Sequence, residues 1–217
     1  MRQWPATETG ALPMPPPAPW PFKLEPGTIA LPKPQMHGGM PLMTALSLRR
    51  SSREFSDQKL APQTLADLLW AAYGVNRPDG GRTAADWRHI MAIEIFVANR
   101  DGVGSYDPVG HALVPLLSAD IRPVTGLQEF VKSAPLELVY VAHGECMSEF
   151  SQADRRLFAS VDCGFIGQNV YLFCASAGLA TVFRGAIDYA GLEAALGLHD
   201  PQFVCFAQTV GYPVVSY

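Results

Sequence analysis

Residues 154–177, DRRLFASVDCGFIGQNVYLFCASA, carry apolar side chains around almost their whole circumference: Leu157, Phe158, Val161, Phe165, Ile166, Val170, Tyr171, Leu172 and Phe173. A helix that is apolar on every side must be covered on every side. In a chain of 217 residues this predicts a core helix packed between a sheet and its neighbours, or a helix with one face in a homodimer interface. Either arrangement requires partners for Gln168 and Asn169. Gly178 supplies the stop. The flanking segments 136–142 and 203–210 are compact apolar runs rich in β-formers, and both read as strands.

Further out, 180–185 reads as a closing strand and 189–196 as a last amphipathic helix. Towards the N-terminus, Pro62-Gln63-Thr64 opens a helix whose stripe is Leu65, Leu68, Leu69 and Ala72, with Gly74 as its stop. Residues 41–48 form a shorter helix. Ile93, Ile95 and Val97 alternate along a strand at 92–98, Asp101-Gly102 turns the chain, and 111–117 is the expected return strand. Residues 76–83, with Pro78-Asp79-Gly80-Gly81, are irregular by composition. Pro13, Pro15, Pro16, Pro17, Pro19 and Pro21 exclude helix from residues 1–35 and predict an extended arm. Trp4, Trp20 and Phe22 give that arm apolar anchors, so part of it is expected to lie across the domain or a partner subunit. The remainder, 36–217, is one domain.

The formal net charge of -4 offers no global field for nucleic acid or an anionic membrane. No apolar stretch reaches the roughly 20 residues of a membrane span, and no apolar signal region follows Arg2. The expected compartment is the cytoplasm. Cys146, Cys163, Cys174 and Cys205 lack C-x-x-C spacing and are expected to be buried thiols.

Any anion site must be local, and the run Leu48-Arg49-Arg50-Ser51-Ser52-Arg53-Glu54-Phe55 supplies one. If the run is extended, Arg49, Ser51 and Arg53 share one face and Arg50 and Ser52 the other. Guanidinium forks with an intervening hydroxyl match phosphate oxygens. The simpler alternative is that these cations only complement the end of the preceding helix. His143-Gly144-Glu145 matches half of a zinc-deaminase signature, but the P-C-x-x-C half is absent and a strand-end loop is the better reading. No G-x-S-x-G elbow, P-loop or G-x-G-x-x-G fingerprint occurs. Phosphate would therefore be held by side chains.

Several segments together resemble the nitroreductase-like flavoprotein family, in particular its small SagB/thiazoline-oxidase-like branch. They are Arg49 through Phe55, Leu68-Leu69-Trp70-Ala71-Ala72-Tyr73-Gly74-Val75-Asn76-Arg77, Arg82-Thr83-Ala84, Asp162 through Gly164 with Gln168-Asn169, Ala177-Gly178-Leu179-Ala180-Thr181 and Val210-Gly211-Tyr212-Pro213. The resemblance implies an α+β fold, with a central, mainly antiparallel sheet flanked by helices, in an intertwined homodimer whose active sites lie at the subunit interface. It implies FMN, held through Arg49, Ser51 and Arg53 with Arg50 alongside, and a backbone N–H at Arg184-Gly185 approaching flavin N5. It also implies NAD(P)H as hydride donor and a small-molecule acceptor of nitro, quinone or heterocycle type.

After Arg82-Thr83-Ala84 the family usually carries Pro-Ser-Ala-x-Asn-x-Gln, where this chain reads Ala85-Asp86-Trp87-Arg88-His89-Ile90-Met91. His89 stands in for the asparagine as a donor, and Asp86 replaces the serine. These two are the candidate catalytic residues, and pairing with Arg88 is expected to offset the Asp86 charge. A second reading is a flavin-poor relative that binds or sequesters a ligand.

Overall fold

Alternating side chains build the sheet. Strand β2 (Ile93–Asn99) sends Ile93, Ile95 and Val97 into one apolar cluster and Phe96 and Ala98 into another. Strand β5 (Leu136–His143) divides Leu138, Tyr140 and Ala142 from Val139 and Val141 in the same way. Both faces are covered, which is why these strands read as nearly continuous apolar runs. A computed structural model describes residues 27–214. With β1 (Ile29–Ala30), β3 (Gly102–Asp107), β4 (Ala112–Leu117), β6 (Ala180–Arg184) and β7 (Gln202–Gly211), these strands form one sheet in the order β1-β4-β3-β2-β5-β7-β6, antiparallel at every pairing.

Helices α2 (Pro62–Tyr73) and α3 (Gln152–Ala177) cover one face of the sheet. Leu68, Leu69 and Ala72 from the first and Cys163, Ile166 and Val170 from the second pack with Ile93, Ile95 and Tyr140. A fully buried leucine such as Leu68 contributes about 2 kcal/mol through area removed from water. Helix α4 (Tyr189–Leu196) covers the other face through Leu192, which joins Val139, Val141 and Val204. Ser151 caps α3 by accepting from the Asp154 N–H, and Gly178 closes it with φ 70°. The short α1 (Leu42–Leu48) lies against α3.

The structure refines three expectations. The strand at Ala112–Leu117 is not the direct return from β2, because β3 intervenes and makes a three-stranded meander. Its sequence, GVGSYD, has little strand propensity, and pairing on both sides decides its state. Second, of the two arrangements open to α3, full cover within this chain is not the one observed. Leu157, Val161 and Phe165, spaced by four, are 58 %, 43 % and 47 % exposed, and Leu42, Met43 and Leu46 of α1 are exposed too. By length and composition α3 is apolar enough to cross a membrane, but its opposite face lies in the core of the sheet. Third, Cys163, Cys174 and Cys205 are buried thiols, whereas Cys146 is exposed.

Residues 1–26, including Trp4, Trp20 and Phe22, lie outside the described residues, as do 215–217. What is described of the proline-rich segment lies along the domain. Ile29–Ala30 pairs with β4, Leu31 donates to the His111 carbonyl at 3.1 Å, and Gln35 donates to Asp67 Oδ1 at 2.8 Å. His143 ends β5, with its ring nitrogens 2.6 Å from Glu94 Oε2 and 3.0 Å from Glu145 Oε1.

Candidate active site

The arginine run leaves α1 in extended backbone, with Arg49 at φ -54° and ψ 124°. It is laid along the open edge of β6, where the Ser52 N–H donates to the Thr181 carbonyl at 2.9 Å. Tyr171 of α3 gathers two members of the run. The Arg49 guanidinium lies 5.1 Å from its ring centroid, and Ser51 Oγ lies 2.7 Å from its hydroxyl, which also accepts from the Phe183 N–H at 2.9 Å. A guanidinium over a tyrosine face is attracted by the ring quadrupole and loses orientational freedom. Arg50 and Ser52 line a cavity of about 350 Å³ with Cys174 and Thr181, whose walls hold no carboxylate. Arg53, next along the run, is exposed.

Strand β6 leads from this edge to Arg184 and the exposed Gly185. The Arg184 side chain turns into the core. It pairs with Glu137, donates through Nη1 to the Thr125 carbonyl at 2.9 Å and through Nε to Thr209 Oγ1 at 3.1 Å. Burial pushes the Glu137 carboxyl up to about 7, against the opposing pull of Arg184 and Thr209. That guanidinium is occupied by the fold, which leaves the backbone around Gly185 as the exposed part of this segment.

A second group forms around residues 82–91. Arg88, His89 and Met91 all have positive φ, at 53°, 57° and 54°, a conformation uncommon outside glycine. Asp86 turns inward, accepting from the Tyr73 hydroxyl and, at 2.7 Å, from the Met91 N–H. Burial raises its carboxyl above the ordinary range despite these hydrogen bonds. The expected Asp86–Arg88 pair does not form. The left-handed turn sends Arg88 outward to Glu149, 3.5 Å away, while Tyr73 holds Asp86 inside. The Trp87 ring is stacked on Phe158 with centroids 3.6 Å apart, and the Trp87 backbone N–H donates to Asp162 Oδ1 at 3.0 Å. Burial, followed by the neighbouring Asp86, pushes the Asp162 carboxyl up to about 7. His89 is exposed at the rim of a cavity that Arg82 and Asp86 also line.

The chain therefore gathers Arg49 and Ser51 at Tyr171, and Asp86 and His89 near Asp162, but does not bring the two groups together. Tyr171 and Asp162 are nine residues apart on α3, about 13 Å along its axis and on roughly opposite sides at 100° per residue. Sequence reasoning missed Tyr171 as a site residue, because in a helix apolar all round one tyrosine is indistinguishable from core. It also missed Tyr73 as the anchor of Asp86. The signal available was a hydroxyl on an otherwise apolar stripe, which needs a partner when buried.

An all-antiparallel sheet with a long helix across one face and a shorter helix on the other defines an α+β protein. The chain belongs to the nitroreductase family, whose profile matches residues 46–212, and it is an oxidoreductase. A Methanocaldococcus jannaschii protein with a provisional nitroreductase name is 32 % identical over 155 residues, covering 67 % of this chain and 78 % of that one. A crystal structure of a likewise provisionally named nitroreductase from Ralstonia eutropha superposes with a TM-score of 0.83 at 42 % identity, over 87 % of this chain and 90 % of that one. The fold is shared with the NADPH:FMN oxidoreductase of Vibrio harveyi, solved with NAD+, at a TM-score of 0.60 and 19 % identity over 81 % and 70 % of the two chains.

Proposed function

We propose that this oxidoreductase is FMN-dependent, takes electrons from NAD(P)H and passes them to a small acceptor of nitro, quinone or heterocycle type in alternating half-reactions. The observation that carries this reading is the clasp of Arg49 and Ser51 on Tyr171 at the edge of β6. Its donors suit a phosphate-bearing cofactor. Guanidinium forks and a hydroxyl match phosphate oxygens, and the adjoining cavity holds no carboxylate to oppose them. Arg49, Ser51 and Arg53, with Arg50 beside them, would hold FMN, and the backbone at Arg184-Gly185 would face its ring. FMN would supply the two-electron chemistry, while the protein supplies position and electrostatics. The fold neighbour from Vibrio harveyi, by its name an NADPH:FMN oxidoreductase, supports the choice of both cofactors.

The working unit in this reading is a homodimer. A second copy of the chain covers the exposed Leu157, Val161 and Phe165 stripe and brings one protomer's Asp86 and His89 to the other's arginine run. His89 then acts as a hydrogen-bond donor to cofactor or substrate, and Asp86, held by Tyr73, as the nearby acid. Free thiols fit a cytoplasmic setting.

The test is the absorption spectrum of the purified protein, followed by FMN titration and NAD(P)H turnover. A colourless protein that refuses added FMN overturns the proposal. Asp86, a carboxylate where the family usually has a hydroxyl, favours a second reading as a flavin-poor ligand-binding protein. NAD(P)H turnover that depends on added FMN rules against that reading.

A further inference from the structure

Arg82 is only 6 % exposed, yet its Nε and Nη1 are buried without a hydrogen-bond partner. A buried guanidinium without a hydrogen-bond partner is strongly disfavoured, so its position needs a reason. The backbone that carries it is firmly tied. Val75 and Arg82 form a β-bridge, the Asn76 N–H donates to the Gly81 carbonyl at 3.0 Å, and the Thr83 N–H donates to the Gly74 carbonyl at 2.9 Å. The Thr83 hydroxyl donates to the Trp70 carbonyl at 3.1 Å. The side chain lies 5.4 Å from the Tyr73 ring centroid and lines a cavity of about 350 Å³ together with Asn76, Arg77, Thr83, Asp86 and His89. Arg77 also lines it, but is engaged with Asp79 and Asn76. Asp86, the carboxylate in the wall, is engaged with the Tyr73 hydroxyl and the Met91 N–H instead of Arg82. Arg82 therefore lines this cavity with two guanidinium nitrogens that no protein group hydrogen-bonds.

We propose that this cavity binds the carboxylate of a small organic acid through Arg82, and that such acids are the preferred class of electron acceptor. The acceptor role rests on the proposed function, whereas the binding site does not. A carboxylate carries one negative charge and brings an organic body that Ala84, Ala85 and Met91 in the same wall accommodate. A phosphate dianion would meet twice the repulsion from Asp86 and has no apolar part to place there. Burial lowers the Arg82 pKa more than the nearby Tyr73, Tyr106, Asp86 and Asp107 raise it, and a bound carboxylate would oppose that shift.

The test is calorimetric titration of the full-length protein, with and without FMN, using benzoate, benzamide and inorganic phosphate as probes. Benzoate should bind at least about tenfold more tightly than benzamide, in keeping with a charge-assisted hydrogen bond. Arg82→Met should abolish that preference while melting at or above the wild-type temperature, because it removes an unpaired buried charge. Arg82→Lys, which keeps the charge, should retain part of the preference. Three results overturn the site: equal affinity for benzoate and benzamide, tighter binding of phosphate than of benzoate, or unchanged benzoate binding in Arg82→Met. With bound FMN, 4-nitrobenzoate should be reduced faster than nitrobenzene, and this advantage should vanish in Arg82→Met. Equal rates for the two overturn the acceptor role. Arg82-dependent benzoate binding in a protein that refuses FMN upholds the site and overturns the proposed function.

Discussion

Ser51 and Tyr171, 120 residues apart in sequence, hold their hydroxyl oxygens 2.7 Å apart. Tyr171 already accepts from the Phe183 N–H. When it donates its own hydrogen to Ser51 Oγ, the serine hydrogen is left for an anionic oxygen outside the fold. The same ring supports the Arg49 guanidinium, so one side chain orients two members of the arginine run.

Tyr171→Phe keeps the ring under Arg49 and removes the hydroxyl. FMN affinity should fall about fivefold, the effect of one hydrogen bond worth about 1 kcal/mol. Tyr171→Ala, which also removes the cation–π support, should lose more. Fluorescence titration of FMN reads both, and equal losses in the two variants would show that the hydroxyl alone matters.

Arg49→Ala should weaken FMN binding by at least about tenfold, the usual scale for a charge-assisted contact. Arg53→Ala should act in the same direction and Arg50→Ala less, because Arg50 lines the cavity on the Ser52 side. Equal losses at all three positions would contradict the alternating geometry.

The exposed stripe on α3 predicts an assembly defect. Leu157→Glu combined with Phe165→Glu puts two charges on a surface that a second protomer should cover. Sedimentation should show monomers, and FMN affinity should fall as the dimer is lost, because the proposed site draws residues from both protomers. A double variant that remains dimeric with full FMN affinity would exclude this stripe as the interface.

Asp162 gives a pH dependence whose sign follows from linkage. Its carboxyl titrates at about 7 in the folded protein, above its value in the unfolded chain. Between about pH 4 and 7 the folded state therefore binds more protons, and this group's contribution to stability falls as pH rises. Asp162→Asn should flatten that decline and raise stability at pH 8 by on the order of 2 kcal/mol. Urea unfolding at pH 5 and pH 8 measures it, and identical slopes in the two proteins would refute the assignment.

Glu137 and Arg184 should behave as a structural pair. Glu137→Ala leaves a buried guanidinium without its partner and should cost about 3–5 kcal/mol. Denaturant unfolding reads the loss, while the fraction that remains folded should bind FMN as the wild type does. A stable variant with weakened FMN binding would instead place this pair in the cofactor site.

Much of the fold was legible in the sequence, because it is written in local periodicity. The stripe Leu65, Leu68, Leu69 and Ala72, the alternation of Ile93, Ile95 and Val97, and the glycine after Ala177 each report a local backbone state directly. Strand β3 was not legible, since Gly102–Asp107 becomes a strand through pairing with β2 and β4. Composition likewise showed α3 to be apolar all round, but only packing showed which stripe the sheet leaves bare. The arginine run stood out by itself as a candidate anion site, through charges concentrated in a sparingly charged chain. Tyr171 as its clasp, Arg184 as a core residue, Asp86 turned inward to Tyr73 and Arg82 left without a partner were decided by tertiary structure alone. Each depends on a contact between distant segments, and a hydrogen bond or buried charge has no periodicity from which such a partner could be read.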